Sequence, residues 1–217
     1  GCNYLYATKG SIIMRQDSVT FPMEIKEKLD TYSFLLKEWQ KKINLVSNST
    51  LENMWERHFQ DSAQLYSLLP KEEKGSVVYD VGAGAGFPGM VLAIMGRKDI
   101  VLCEANKKKC VFLEEIKKQT HTKVIIDNIR AELLPFRSAN VIIARAVKPL
   151  KGLLKIAAPL IKSKGLCIFP KGANWKKEMN IAEKFYNIEY DLVQSITSKE
   201  SFIFVIHNIE KKNVNKA

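Results

Sequence analysis

The chain has 217 residues, 46% of them hydrophobic, and carries 34 Lys and Arg against 23 Asp and Glu, a formal charge of +11. That length suits one α/β domain with an appendage and excludes two full-sized domains. No apolar run reaches the roughly eighteen residues of a membrane-spanning helix, and the four cysteines, at 2, 103, 110 and 167, show no C-x-x-C spacing. Neither a zinc site nor a disulfide framework is therefore expected, and a reducing cytoplasm is the default compartment.

Residues 1–21 lack the apolar core of a signal peptide and are expected to be an idiosyncratic or poorly ordered extension, with Met14 as an alternative start. Residues 22–70 read as a helical cap. Its first helix, over 22–42, begins at Pro22 and repeats Ile25, Leu29, Tyr32, Leu36 and Trp39 along one face. After a turn at 44–49, Ser49 or Thr50 caps a second helix over 51–69 that ends before Pro70. A linker at 71–76 leads into a core spanning 76–209.

The core opens on Val77-Val78-Tyr79-Asp80-Val81, an apolar run of the kind found in a strand covered on both faces. Glycines follow at 82, 84, 86 and 89, where the chain must turn sharply and bring bare backbone close to something. Pro88 falls at a first helical position, and a helix continues over 90–95. A second strand, 100–103, ends in Glu104, about twenty residues after the loop, where nucleotide sites place an acid for ribose hydroxyls. The spacing Gly82-x-Gly84-x-Gly86 differs from the G-x-G-x-x-G of dinucleotide folds, and Asp-Val-Gly-x-Gly-x-Gly resembles motif I of S-adenosylmethionine (SAM) methyltransferases.

Further along, a helix over 107–119 buries Phe112, Leu113 and Ile116 and opens on Lys107, Lys108 and Lys109, which oppose the helix dipole. Those lysines read either as a phosphate contact or as a solvated face. Strands are expected at 123–126, 139–144 and 165–169, helices at 151–162 and 174–187, and closing strands at 189–196 and 201–208. The alternation predicts a Rossmann-like, seven-stranded, mostly parallel sheet with helices on both faces and the last strand antiparallel. The tail 210–217 is basic. The charge excess points to a polyanionic partner such as nucleic acid, although a lysine-rich composition produces the same number with no partner.

Several motifs then agree with one family. Trp39 with Asn44-Leu45, the box Arg57-His58-Phe59-Gln60-Asp61-Ser62, and the close Gly86-Phe87-Pro88-Gly89 resemble the bacterial 16S rRNA guanine-N7 methyltransferases, the RsmG (GidB, glucose-inhibited division protein B) family. Residues 108–113, Arg130-Ala131-Glu132, Ala144-Arg145-Ala146 and Lys171-Gly172 extend the likeness over about 22–208. Val46, Ala105 and Pro170 depart from it, standing where the family usually has a hydroxyl residue, a serine and an aliphatic residue.

The resemblance implies a SAM-dependent enzyme acting on guanine 527 of 16S rRNA, free or in the small subunit; apart from it, the chain is read as a cytoplasmic monomer. It implies that Gly82, Gly84, Gly86 and Phe87 hold SAM, that Glu104 binds its ribose, and that Ala131 and Glu132 meet its adenine. Arg145 would contact the cofactor and position the reaction, and Arg57, His58 and Lys171 would face the RNA. The residues alone leave open a structural ion pair of Arg145 with Asp61 or Glu132, and a structural rather than substrate-binding His58. No metal is implied. Two other readings remain: a methyltransferase of another RNA or a small molecule, and a non-catalytic RNA-binding protein of ribosome assembly.

Overall fold

The structure, a computed structural model, describes residues 12–13, 18–145 and 148–213. Met14, Cys2, Ala146 and the last four residues of the basic tail lie outside those described.

One eight-stranded sheet organises the chain, in the order β1 (Ile12–Ile13), β7 (Tyr186–Gln194), β8 (Phe202–Lys211), β6 (Ile161–Lys171), β5 (Ala139–Ile143), β2 (Val78–Val81), β3 (Ile100–Cys103), β4 (Ile125–Asp127). Only β8 runs antiparallel to its neighbours. The seven expected strands are present. The eighth, β1, comes from the extension expected to be irregular: Ile12 and Ile13 add in parallel to Leu192 and Val193 at the edge of β7. Two isoleucines are too short a run to read as a strand in isolation, and it is the unpaired edge of β7 that fixes them.

All four residues of β2 are buried, as a central parallel strand requires. On one face α4 (Gly89–Ile94) and α5 (Lys107–Gln119) cover the sheet, and α1 (Met23–Gln40) lies over them. Leu29, Tyr32 and Leu36 of α1 join Met90 and Phe112 in one core, so the stripe read from the sequence is the buried face. Burying such side chains contributes about 1.5–3 kcal/mol each. The other face is covered by α6 (Leu150–Leu160) and α7 (Trp175–Ala182), whose Leu154 and Met179 pack with Ile142 and Phe204. Between β4 and β5 the chain makes only a 3₁₀ turn, Ala131–Leu133.

The expected second helix is broken. It divides into α2 (Asn48–Leu51), a π-helical segment Trp55–Gln60, α3 (Asp61–Ala63) and a 3₁₀ turn at Tyr66–Leu68. In the π segment the Asp61 N–H reaches back to the carbonyls of Glu56 and His58. The widened turn rotates the side chains within it, a device common at functional sites. Its apolar residues still reach the core: Met54 and Phe59 are buried, and Phe59 stands edge-on to Trp55 at 5.1 Å.

Candidate active site

In a sheet of this order, ligands bind beyond the carboxyl ends of the strands, where neighbouring connections diverge to opposite faces. That point lies between β2 and β5, and it is where the glycine loop and Arg145 meet. After β2 the backbone turns through Gly82, Gly84 and Gly86, all at positive φ (+68°, +57° and +96°). Glu104, at the end of β3, ties the loop down: one carboxylate oxygen accepts Gly84 N–H at 2.8 Å and the other Asn106 N–H at 2.7 Å. Asn106 in turn caps α5, its side-chain oxygen accepting the N–H groups of Lys108 and Lys109. Below the loop, fully buried Asp80 accepts Gly89 N–H at 2.7 Å, while its other oxygen has no partner. Burial pushes its carboxyl up to about 7, against the pull of that hydrogen bond and of Arg145.

The loop, Glu104, Thr50, His58, Lys109 and Arg145 line a cavity of 790 Å³, within the range of small-molecule and cofactor sites. A side-chain carbon added at Gly84 would meet nothing nearer than the Gly82 carbonyl, at 3.7 Å, so the space above this residue belongs to the cavity. Gly86 is different. A side chain there would strike the Tyr32 hydroxyl, Leu113 and Met90, so this glycine lets the loop pack on α1 and α5 and lies outside the cavity lining.

Phe87 is almost fully buried between two rings: Tyr32 stacks on it at 5.3 Å and His58 at 4.6 Å. The Tyr32 hydroxyl donates to the Ala85 carbonyl, so α1 holds the loop directly. Arg145, just past β5, lies with its guanidinium 5.0 Å from the Phe87 ring. It donates to the Arg57 carbonyl at 2.9 Å, to Asp61 at 3.1 Å and to His58 Nδ1 at 2.6 Å. Because Arg145 can only donate, His58 Nδ1 accepts, and His58 Nε2–H donates to the Thr50 hydroxyl at 2.9 Å. Burial and the neighbouring Arg145 and Arg57 lower the His58 pKa to about 3, so the ring is neutral. The ion pair with Asp61 left open by the sequence is formed, and the π segment delivers His58 and Asp61 to it.

Other expected contacts are placed elsewhere. Ala131 is buried, and neither it nor Glu132 lines the cavity; Glu132 pairs at 3.3 Å with Lys148, both side chains exposed. Lys171 is buried, its ammonium 2.8 Å from Glu178 and donating at 2.8 Å to the Lys148 carbonyl. Both sites were read from motif position, which says nothing of the partners that α7 and the β5–α6 connection bring. Thr50 and Lys109 had carried only a capping or a charge reading, and their place in the lining depends on how α2 and α5 dock. Of the three lysines opening α5, Lys109 lines the cavity. No group of three or more potential metal ligands occurs among the described residues.

Comparison with known proteins then decides the family. The profile described as GidB, rRNA small subunit methyltransferase G, matches residues 25–204. The chain belongs to this family. Among curated relatives, the ribosomal RNA small subunit methyltransferase G of Paramagnetospirillum magneticum is 38% identical over 188 residues, covering 87% of this chain and 91% of that protein. The protein of the same name from Rhodospirillum rubrum is also 38% identical, over 87% of this chain and 92% of its own. In fold, a crystal structure of M. jannaschii TYW2 in complex with AdoMet matches with a TM-score of 0.53 at 18% identity, over 79% of this chain and 80% of that one. The chain is thus a SAM-dependent rRNA methyltransferase by family, with the Rossmann-like fold of SAM methyltransferases. Its residues fit that cofactor: a glycine turn open above Gly84, an acid beside it and a cavity of sufficient size.

Proposed function

We propose that this member of the rRNA small subunit methyltransferase G family methylates N7 of guanine 527 in 16S rRNA. The observation that carries the reading is that neither the histidine nor the carboxylate lining the glycine-loop cavity is free to act as a base. Both nitrogens of His58 are engaged and the ring titrates near pH 3. Both oxygens of Glu104 accept main-chain N–H groups, and the arginines hold their protons. A site whose histidine and carboxylate are both engaged suits an acceptor that has no proton to lose. Guanine N7 presents an in-plane lone pair, whereas an exocyclic amine or a hydroxyl needs its proton removed.

Bound SAM supplies an electrophilic methyl on its sulfonium. The residues of this chain bind and align. Gly84, with open space above its Cα, lets the cofactor approach the main chain, Glu104 stands where ribose hydroxyls would reach it, and Arg145 keeps a fixed positive charge at the mouth. With no proton to move, the rate enhancement rests on alignment of the reacting atoms for in-line displacement and on exclusion of water. The charge of +11 favours approach to a polyanion. The reading places the protein in the cytoplasm as a monomer.

The test is incubation of small ribosomal subunits lacking the modification with labelled SAM, followed by mapping of the methylated nucleotide. Label at N7 of the expected guanine is the predicted result. Label on an exocyclic amine, on another RNA, or nowhere would overturn the proposal.

A further inference from the structure

A second cavity, of 470 Å³, lies on the far side of Arg145 from the glycine loop. Arg57 and Arg145 line both cavities, which therefore adjoin along these two side chains. The rest of its wall comes from Asp61, the β5–α6 connection, the end of β6, Glu178 of α7, the start of β8 and residues 195–201, the loop joining β7 to β8.

That loop is held rigidly against the π segment. Asp61 accepts the Thr197 hydroxyl at 2.8 Å through the carboxylate whose other oxygen binds Arg145. Gln64 accepts Ile196 N–H at 3.0 Å and donates to the Ser195 hydroxyl at 3.2 Å. Ser195 and Thr197 are therefore engaged in structure. Ser198 and Ser201 differ: their carbonyls accept from Gln194, and their hydroxyls have no hydrogen-bond partner among the described residues.

The charges divide in the same way. Within this cavity Arg145 is balanced by Asp61 and Lys171 by Glu178, whereas Arg57 is exposed and makes no ion pair among the described residues. An open guanidinium and two open hydroxyls therefore face a cavity whose apolar lining is Pro149, Pro170, Phe202 and Ile203. Ribose hydroxyls and phosphate need such donors, and a splayed base needs such a surface.

We propose that this second cavity receives the nucleotide carrying the methyl acceptor, with Ser198, Ser201 and Arg57 holding its sugar and phosphate. The inference rests on the RNA-methyltransferase reading above and adds to it an acceptor-binding role for the β7–β8 loop. Arg145 then borders both the donor and the acceptor without separating the reacting atoms, and Asp61 positions both it and the loop.

The experiment uses the full-length protein, small subunits lacking the modification, and a fluorescein-labelled single-stranded RNA oligonucleotide containing the target guanine. Ser198→Trp fills the cavity, and a Ser198→Ala, Ser201→Ala double variant removes only hydroxyls. SAM affinity by calorimetry and melting temperature should match wild type in both. The tryptophan should raise KM for subunits and Kd for the oligonucleotide about tenfold or more, and each lost hydroxyl should weaken binding about fivefold. Wild-type KM and oligonucleotide affinity in either folded variant would overturn the cavity assignment while leaving the methyltransferase reading intact. If the tryptophan variant does not fold, the alanine pair decides. Absence of transfer by the wild-type protein would overturn both.

Discussion

Two glycines two positions apart show how one motif serves two ends. Gly84 and Gly86 both adopt positive φ, but only Gly84 opens onto the donor cavity. Gly84→Val should cost about 1–2 kcal/mol of stability from its backbone conformation and abolish SAM binding measured by calorimetry, because its side chain enters the cavity. Gly86→Ala should behave in the opposite way. Its new carbon would sit 2.9 Å from both Leu113 and Met90, so about 3 kcal/mol should be lost in denaturant melts, with SAM affinity of the folded protein changed far less. Equal loss of SAM affinity in the two variants would contradict this division. The division was not legible in the sequence. Spacing showed that three glycines were needed, but the group that crowds Gly86 is the Tyr32 hydroxyl, more than fifty residues upstream.

Among the elements, α1 has the least obvious part in the site. Its apolar stripe was readable because helix periodicity is a local signal, and the same holds for β3 and α5, found at the boundaries expected. What periodicity could not say is that Tyr32 bonds the Ala85 carbonyl of the glycine loop and stacks on Phe87. Tyr32→Phe keeps the stacked ring and strands a buried carbonyl, which should cost about 1–3 kcal/mol. It should also weaken SAM binding, because Ala85 lines the donor cavity. Calorimetry beside a melt checks this, and loss of stability alone would make α1 a support without influence on the site. The π segment was hidden for a related reason: Met54, Phe59, Ala63 and Leu65 fit an ordinary helix equally well. The register shift shows only in backbone hydrogen bonds such as that of Asp61 N–H to the Glu56 carbonyl.

Across the whole molecule, two buried groups in contact with the same loop bias stability in opposite directions. Asp80 titrates near 7 rather than 3.8, so between those values the folded protein holds a proton the unfolded chain has released, and stability falls as pH rises. His58 titrates near 3 rather than 6.5, so there the unfolded chain holds the extra proton, and stability falls as pH drops. The two slopes oppose each other over about pH 4 to 6.5. Asp80→Asn should leave the His58 slope exposed, with stability relative to wild type climbing across the acid range up to about pH 7. His58→Gln should leave the Asp80 slope, with stability relative to wild type declining from about pH 3 to 6.5. Tenfold displacement of a proton equilibrium is worth about 1.4 kcal/mol, well within reach of denaturant melts at a series of pH values. Parallel profiles for both variants and wild type would refute the assignment. The fold class and the loop were legible because they rest on short-range pattern. These couplings were not, because they join residues from the cap, the first strand and the fourth expected strand.

Arg57 and Arg145 border two chambers at once. Rooms that share a wall cannot be resized independently. Trimming Arg145 to admit a bulkier acceptor also removes the support behind His58 and Phe87, so the donor side loosens with it. Improvement for one ligand therefore carries a penalty for the other, unless a second change elsewhere rebuilds the divider.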